Sequence, residues 1–176
     1  MMQNYPKAAE GLKLMFIAEI LAILGIIPLV GAILAIVGLV LMLVGLHKAS
    51  ADDQRYKTAF ILSIVNLVLG LVNLAGGVLG TIVSIVSAIL GLAVVFYVIN
   101  ATNELLTNVG NTEVPEKGNK VWKLYLICTV AGVVISLLAL IVPGLSAVLA
   151  VVAAIVEIVA YILYVIYLNK SYKALA

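Results

Sequence analysis

Residues 121–168 read VWKLYLICTVAGVVISLLALIVPGLSAVLAVVAAIVEIVAYILYVIYL, a stretch apolar almost throughout and interrupted by the helix-breaking pair Pro143-Gly144. Two runs, Val121 to Val142 and Leu145 to Leu168, flank that pair, and each is near the ~20 residues that cross a ~30 Å hydrocarbon core. Working outward, the same pattern recurs as Ala8 to Ile27 with Leu29 to Leu46, and as Thr58 to Ala75 with Gly77 to Ile99. Pro28 with Gly31, and the Gly76-Gly77 pair, stand where Pro143-Gly144 stands in the third copy. One long helix per pair, of about 34 to 44 residues, would overshoot the bilayer by roughly 20 Å or more. The expected fold is therefore all-α: a polytopic membrane protein, a compact six-helix transmembrane bundle of three helical hairpins at about 8–46, 58–99 and 121–168.

Composition agrees. The 176 residues are 65% hydrophobic and 10% charged, with a mean hydropathy of +1.30, outside the balance of water-soluble domains. The longest polar stretch runs only from Thr102 to Lys120, so a single membrane domain over 1–176 is expected, with Asn103 to Lys120 as a connecting loop and potential docking segment. A retained first helix is expected in place of a cleaved signal peptide, because Glu19 interrupts the apolar run and cleavage after Ala32 would start the chain inside a second one.

All ten Lys and Arg residues, Lys7, Lys13, Lys48, Arg55, Lys57, Lys117, Lys120, Lys123, Lys170 and Lys173, fall at alternate breaks in the apolar chain, whereas the intervening breaks carry no charge. Positive charge of one parity marks the cytoplasmic side, which predicts a multi-pass protein of the plasma (inner) membrane with both termini cytoplasmic. Tyr5, Phe16, Tyr56, Phe60, Phe96, Tyr97, Trp122, Tyr125, Tyr167 and Tyr172 cluster toward the same side, as an interfacial aromatic belt does. The hairpins open alike, with Lys13-Leu-Met-Phe-Ile, Lys57-Thr-Ala-Phe-Ile and Lys123-Leu-Tyr-Leu-Ile, which reads as three parallel repeats.

Polar residues inside the apolar runs are the candidate functional groups. Glu157 lies ten residues before Tyr167, roughly 15 Å from the basic interface and close to the midplane, where a charge is expensive unless a cation, water or polar partner reaches it. Tyr161 and Tyr164 follow at i+4 and i+7, giving one face with a carboxyl group and two phenols. Glu19, six residues beyond Lys13, is expected to reach toward interfacial water or Lys13. The third helix aligns Ser63, Asn66, Gly70, Asn73 and Gly77 on one face, and the fourth carries Gly76, Gly80, Ser84 and Ala88 at spacing four. Helix two has Gly31, Gly38 and Gly45, and helix five has Gly132 with Ser136, so close helix packing is expected through the whole bundle. Glu157, Tyr161, Tyr164, Asn66, Asn73 and Glu19 together form the candidate ligand or ion pathway.

No enzyme constellation emerges. His47 stands alone beside Lys48, Cys128 is the single cysteine, and no nucleotide-binding or nucleophile-elbow motif is present. No metal, cofactor or nucleic-acid partner is expected. Asp52-Asp53 is expected to cap a helix that begins near Gln54. The chain is similar in general character to small multi-pass membrane proteins of bacteria and archaea that carry hairpin repeats. In size and helix number it also resembles the substrate-capture subunits of vitamin importers, which implies solute binding. The leading expectation is a non-catalytic structural or interaction protein in the lipid bilayer, as a homo-oligomer or with a membrane-protein partner. The competing one is a small-solute or ion transporter, or a capture subunit, with a midplane pocket around Glu157 and Asn66.

Overall fold

A computed structural model describes residues 4–25, 27, 30–72, 77–139 and 141–176, with only the backbone described at 72, 77, 78 and 143–147. Over the described residues it is all-helical, with six helices: α1 (Pro6–Leu24), α2 (Gly31–Ala49), α3 (Gln54–Val72), α4 (Gly77–Asn108), α5 (Glu113–Ala139) and α6 (Pro143–Leu175). Four of them, α2, α4, α5 and α6, are long and apolar enough to cross a bilayer, which makes this a helical membrane protein. Of the remaining two, α1 carries four charged residues, Lys7, Glu10, Lys13 and Glu19, and α3 opens on the polar Gln54, Arg55 and Lys57.

Each helix packs against the next, most extensively α1 with α2, α3 with α4 and α5 with α6, and α6 returns to α1, so the six close into a ring. The seam between α2 and α3 is the slightest of the sequential contacts, and α4 also touches α6 behind α5. The core lies toward the basic end of this ring, where Leu12, Met15, Leu46, Tyr56, Val98, Leu106 and Leu168 are almost wholly buried. Toward the other end large aliphatic side chains face outward, Ile141 at 78% and Leu71 and Val148 at 66% exposure, as lipid-facing residues do.

The expected loop from Asn103 to Lys120 is the main correction. α4 continues through Asn108 and α5 begins at Glu113, leaving only residues 109–112 between them. Hydropathy marks where a helix leaves the hydrocarbon, and these helices simply continue into the polar zone; at about 1.5 Å per residue the 32 residues of α4 span about 48 Å. The extension has its own local reasons. Glu113 pairs with Lys117, and Glu116 with Lys120 at 2.9 Å, both at i,i+4 spacing. Gly110 ends α4 at a φ of +81°, with its N–H on the Thr107 carbonyl and the Asn111 N–H on that of Leu106, and Asn111 Oδ1 accepts the Val114 N–H at 3.1 Å to start α5.

Pro143-Gly144, expected to form a turn, instead open α6, where proline's missing N–H costs nothing. Pro28, Gly76 and Asn73 lie outside the described residues. The cap on α3 is as expected: Asp53 Oδ1 accepts the Arg55 N–H at 2.8 Å. Its neighbour does more than local capping, since Asp52 Oδ2 accepts the Ala8 N–H at 2.6 Å and so ties the start of α1 to the α2–α3 connection.

Candidate functional site

Of the six candidate residues Asn73 lies outside the described ones, and the other five fall in three places, with Tyr161 bordering both Glu19 and, in a recess with Tyr125, Glu157. Glu19 and Tyr161, 142 positions apart, meet across the α1–α6 contact: the Tyr161 hydroxyl donates to Glu19 Oε2 at 2.5 Å and is 3.0 Å from the Glu19 carbonyl. Glu19 is only 9% exposed, so the expectation that it reaches interfacial water or Lys13 is corrected; α6 covers it and a phenol supplies its partner. Tyr164, one turn on, is buried and packs edge-on against Tyr125 of α5 with ring centroids 5.7 Å apart. Asn66 faces α4, where a Cβ on Gly91 would lie 3.9 Å from its amide nitrogen, while Asn66 Oδ1 and Ser87 Oγ are buried without a hydrogen-bond partner.

Glu157 is in the third place. It is exposed, forms no ion pair among the described residues, and lines a cavity of about 400 Å³ enclosed by α4, α5 and α6. Around it stand Ser84 on α4, Tyr125, Thr129 and Ser136 on α5, and Ala160 on α6. The cavity runs along the helices from Ser84 and Ser136 to Val95 and Tyr125, and Tyr125 in turn packs against the buried Tyr164. A carboxyl group with hydroxyls in an otherwise apolar recess offers hard oxygen donors, suited to an alkali cation, an ammonium group or a small polar solute. Among the described residues no three of His, Cys, Asp and Glu come together as a transition-metal site would need.

The cavity exists because small residues face one another and do not interlock. Small-residue spacing on α4 and α5 suggested close packing, yet a Cβ on Gly132 would meet nothing within 4 Å, and Gly91, Ala88 and Ser84 line the opposite wall. The packing expectation is therefore corrected here and holds at the α1–α2 contact, where Gly38 and Gly45 touch α1 backbone. Gly132→Ala is accordingly expected to raise stability by about 0.5 to 1 kcal/mol through helix propensity alone. Thermal unfolding in detergent checks it, and a loss would mean that α4 and α5 close on each other at this position.

Sequence reasoning missed Asn103, Gly118 and Asn119. The Tyr167 hydroxyl donates to Asn103 Oδ1 at 2.8 Å and Asn103 Nδ2 donates to Asn119 Oδ1 at 3.1 Å, with Gly118 lying against both Asn103 and the Tyr167 ring. This clasp joins α4, α5 and α6 at the basic end. The Gly118-Asn119 pair looked like linker composition, and only the helical continuation of α5 gives it a face.

The chain matches no family model, and no curated protein or solved structure matches it. The functional reading rests on the geometry alone.

Proposed function

We propose that this is a non-catalytic integral membrane protein of structural or interaction type, all six helices crossing the plasma membrane and both termini at its cytoplasmic face. The reading rests on one observation: the basic half of the ring is filled by side chains from α1, α2, α3, α4 and α6, with Leu12, Leu46, Tyr56, Val98 and Leu168 at 0% exposure. A carrier needs a hydrated route to both faces, and a plug of this depth opposes one. Two buried polar pairs support the same reading, since Glu19 with Tyr161, and Tyr56 with Thr102 at 2.7 Å, satisfy each other across helix contacts. The work left to such a protein is association, as a homo-oligomer or as a subunit beside another membrane protein, through the apolar faces of α2, α5 and α6.

Transport or solute capture is the second reading, favoured by Glu157 in its cavity. Proteoliposomes holding the full chain, loaded with a pH-sensitive dye and given sodium, potassium or proton gradients, separate the two. No flux above that of empty vesicles is expected, from the native chain or from Glu157→Gln. Flux that Glu157→Gln abolishes would replace the first reading with the second.

A further inference from the structure

A separate groove lies between α5 and α6 at the basic end, about 520 Å³ in volume and remote from the Glu157 cavity in its lining. Its walls are apolar, with Leu124 on α5 and Leu163 and Ile166 on α6, and its mouth carries Lys117, Lys120 and Lys170. Leu163 and Ile166 are also exposed on the outside of the bundle, at 41% and 45%, so the groove opens toward lipid. The groove thus begins among side chains of the apolar runs and ends at three ammonium groups just beyond them.

The charges at the mouth are not balanced. Lys117 is paired with Glu113 and Lys120 with Glu116, but among the described residues no carboxylate is within 4.0 Å of Lys170. Lys170 instead lies beside Lys117 in the groove's lining, and the like charge of Lys117 holds the Lys170 ammonium below the ordinary lysine range. Two cations brought together at the end of an apolar slot, one of them without a counter-ion, fit a ligand that carries a negative charge on one end and hydrocarbon on the other. Basic pockets between helices at a membrane face take lipid headgroups for this reason.

We infer that the α5–α6 groove is a binding site for one anionic phospholipid, its phosphate at Lys117 and Lys170 and an acyl chain along Leu124, Leu163 and Ile166. The site is independent of the choice between association and transport, because neither Glu157 nor its cavity takes part.

The test uses the full chain in detergent, stripped of lipid, and native mass spectrometry with added dioleoyl phosphatidylglycerol or dioleoyl phosphatidylcholine. One phosphatidylglycerol per chain is expected to be retained in preference to phosphatidylcholine, and Lys117→Gln with Lys170→Gln is expected to lower that retention about tenfold. Lys7→Gln with Lys57→Gln removes the same charge elsewhere and is expected to leave it unchanged. Leu163→Trp, at an exposed position, fills the groove and is expected to weaken retention with every lysine present. Equal loss in both lysine pairs would mean diffuse attraction and overturn the site. Displacement of the lipid by equimolar glycerol phosphate, or indifference to Leu163→Trp, would show a bare phosphate site and overturn the lipid assignment.

Discussion

Gly45→Leu is expected to force α1 and α2 apart and to lower stability by roughly 3 kcal/mol, near the upper end of what overpacking usually costs. A Cβ at Gly45 would lie 2.6 Å from the Gly11 carbonyl oxygen and 2.9 Å from Met15 Cγ, and one at Gly11 would lie 2.4 Å from the Gly45 carbonyl oxygen. Backbone atoms cannot rotate out of the way, so the helices themselves must shift. Shifting them exposes Leu12, Met15, Leu46 and Ala49, all at 0% exposure, and shears the Ala8 to Asp52 hydrogen bond. Alanine's better helix propensity, worth about 1 kcal/mol, works in the other direction but is the smaller effect. Gly45→Ala should therefore also destabilise, by less than leucine does. Melting in mild detergent checks the series, with a drop on the order of 10 °C for leucine; a leucine variant as stable as the native chain would contradict so close an approach.

The contrast between Gly45 and Gly132 explains what the sequence could and could not convey. Both sit in stripes of small residues on apolar helices, and the stripes read alike. One meets another glycine and brings two backbones together; the other meets small residues and leaves a void. A stripe describes one helix surface, whereas contact depends on what faces it. Six helices were legible because hydropathy runs and Gly or Pro breaks are local properties, as was the Asp53 cap. The lengths of α4, α5 and α6 were not, since Glu113 to Lys120 has the composition of a loop and becomes a helix through ion pairs and a cap. Glu19, Tyr161 and Glu157 stood out as polar groups in apolar runs. Their grouping was hidden, because Glu19 joins Tyr161 across 142 positions, whereas Glu157 borders a recess shared with Tyr125 and Tyr161 and also lines the cavity between α4, α5 and α6.

Gly118→Val is expected to undo the clasp at the basic ends of α4, α5 and α6 and to lower stability by about 3 to 4 kcal/mol. A Cβ there would lie 2.5 Å from Asn103 Oδ1 and 2.6 Å from Tyr167 Cε2. Asn103 can rotate aside only by giving up its bonds to Tyr167 and Asn119, about 1 kcal/mol each. The ring cannot, because Tyr167 is 2% exposed within the core, so its displacement adds about 1 to 2 kcal/mol of overpacking. Asn103→Ala should also destabilise, yet in the Gly118→Val background its further cost should be small, since the bonds it removes are already broken. A double-mutant cycle in detergent measures that coupling, and amide hydrogen exchange across residues 103–119 locates it. Full additivity of the two losses would rule out the clasp.

The contact of α6 with α1 joins helices far apart in the sequence, so the ring closes only once α6 has been made. Until then the flank of α1 that holds Glu19 has no phenol to bond it. An unfinished chain therefore carries a mark of its incompleteness, an uncovered carboxyl group on α1 that the arrival of Tyr161 conceals.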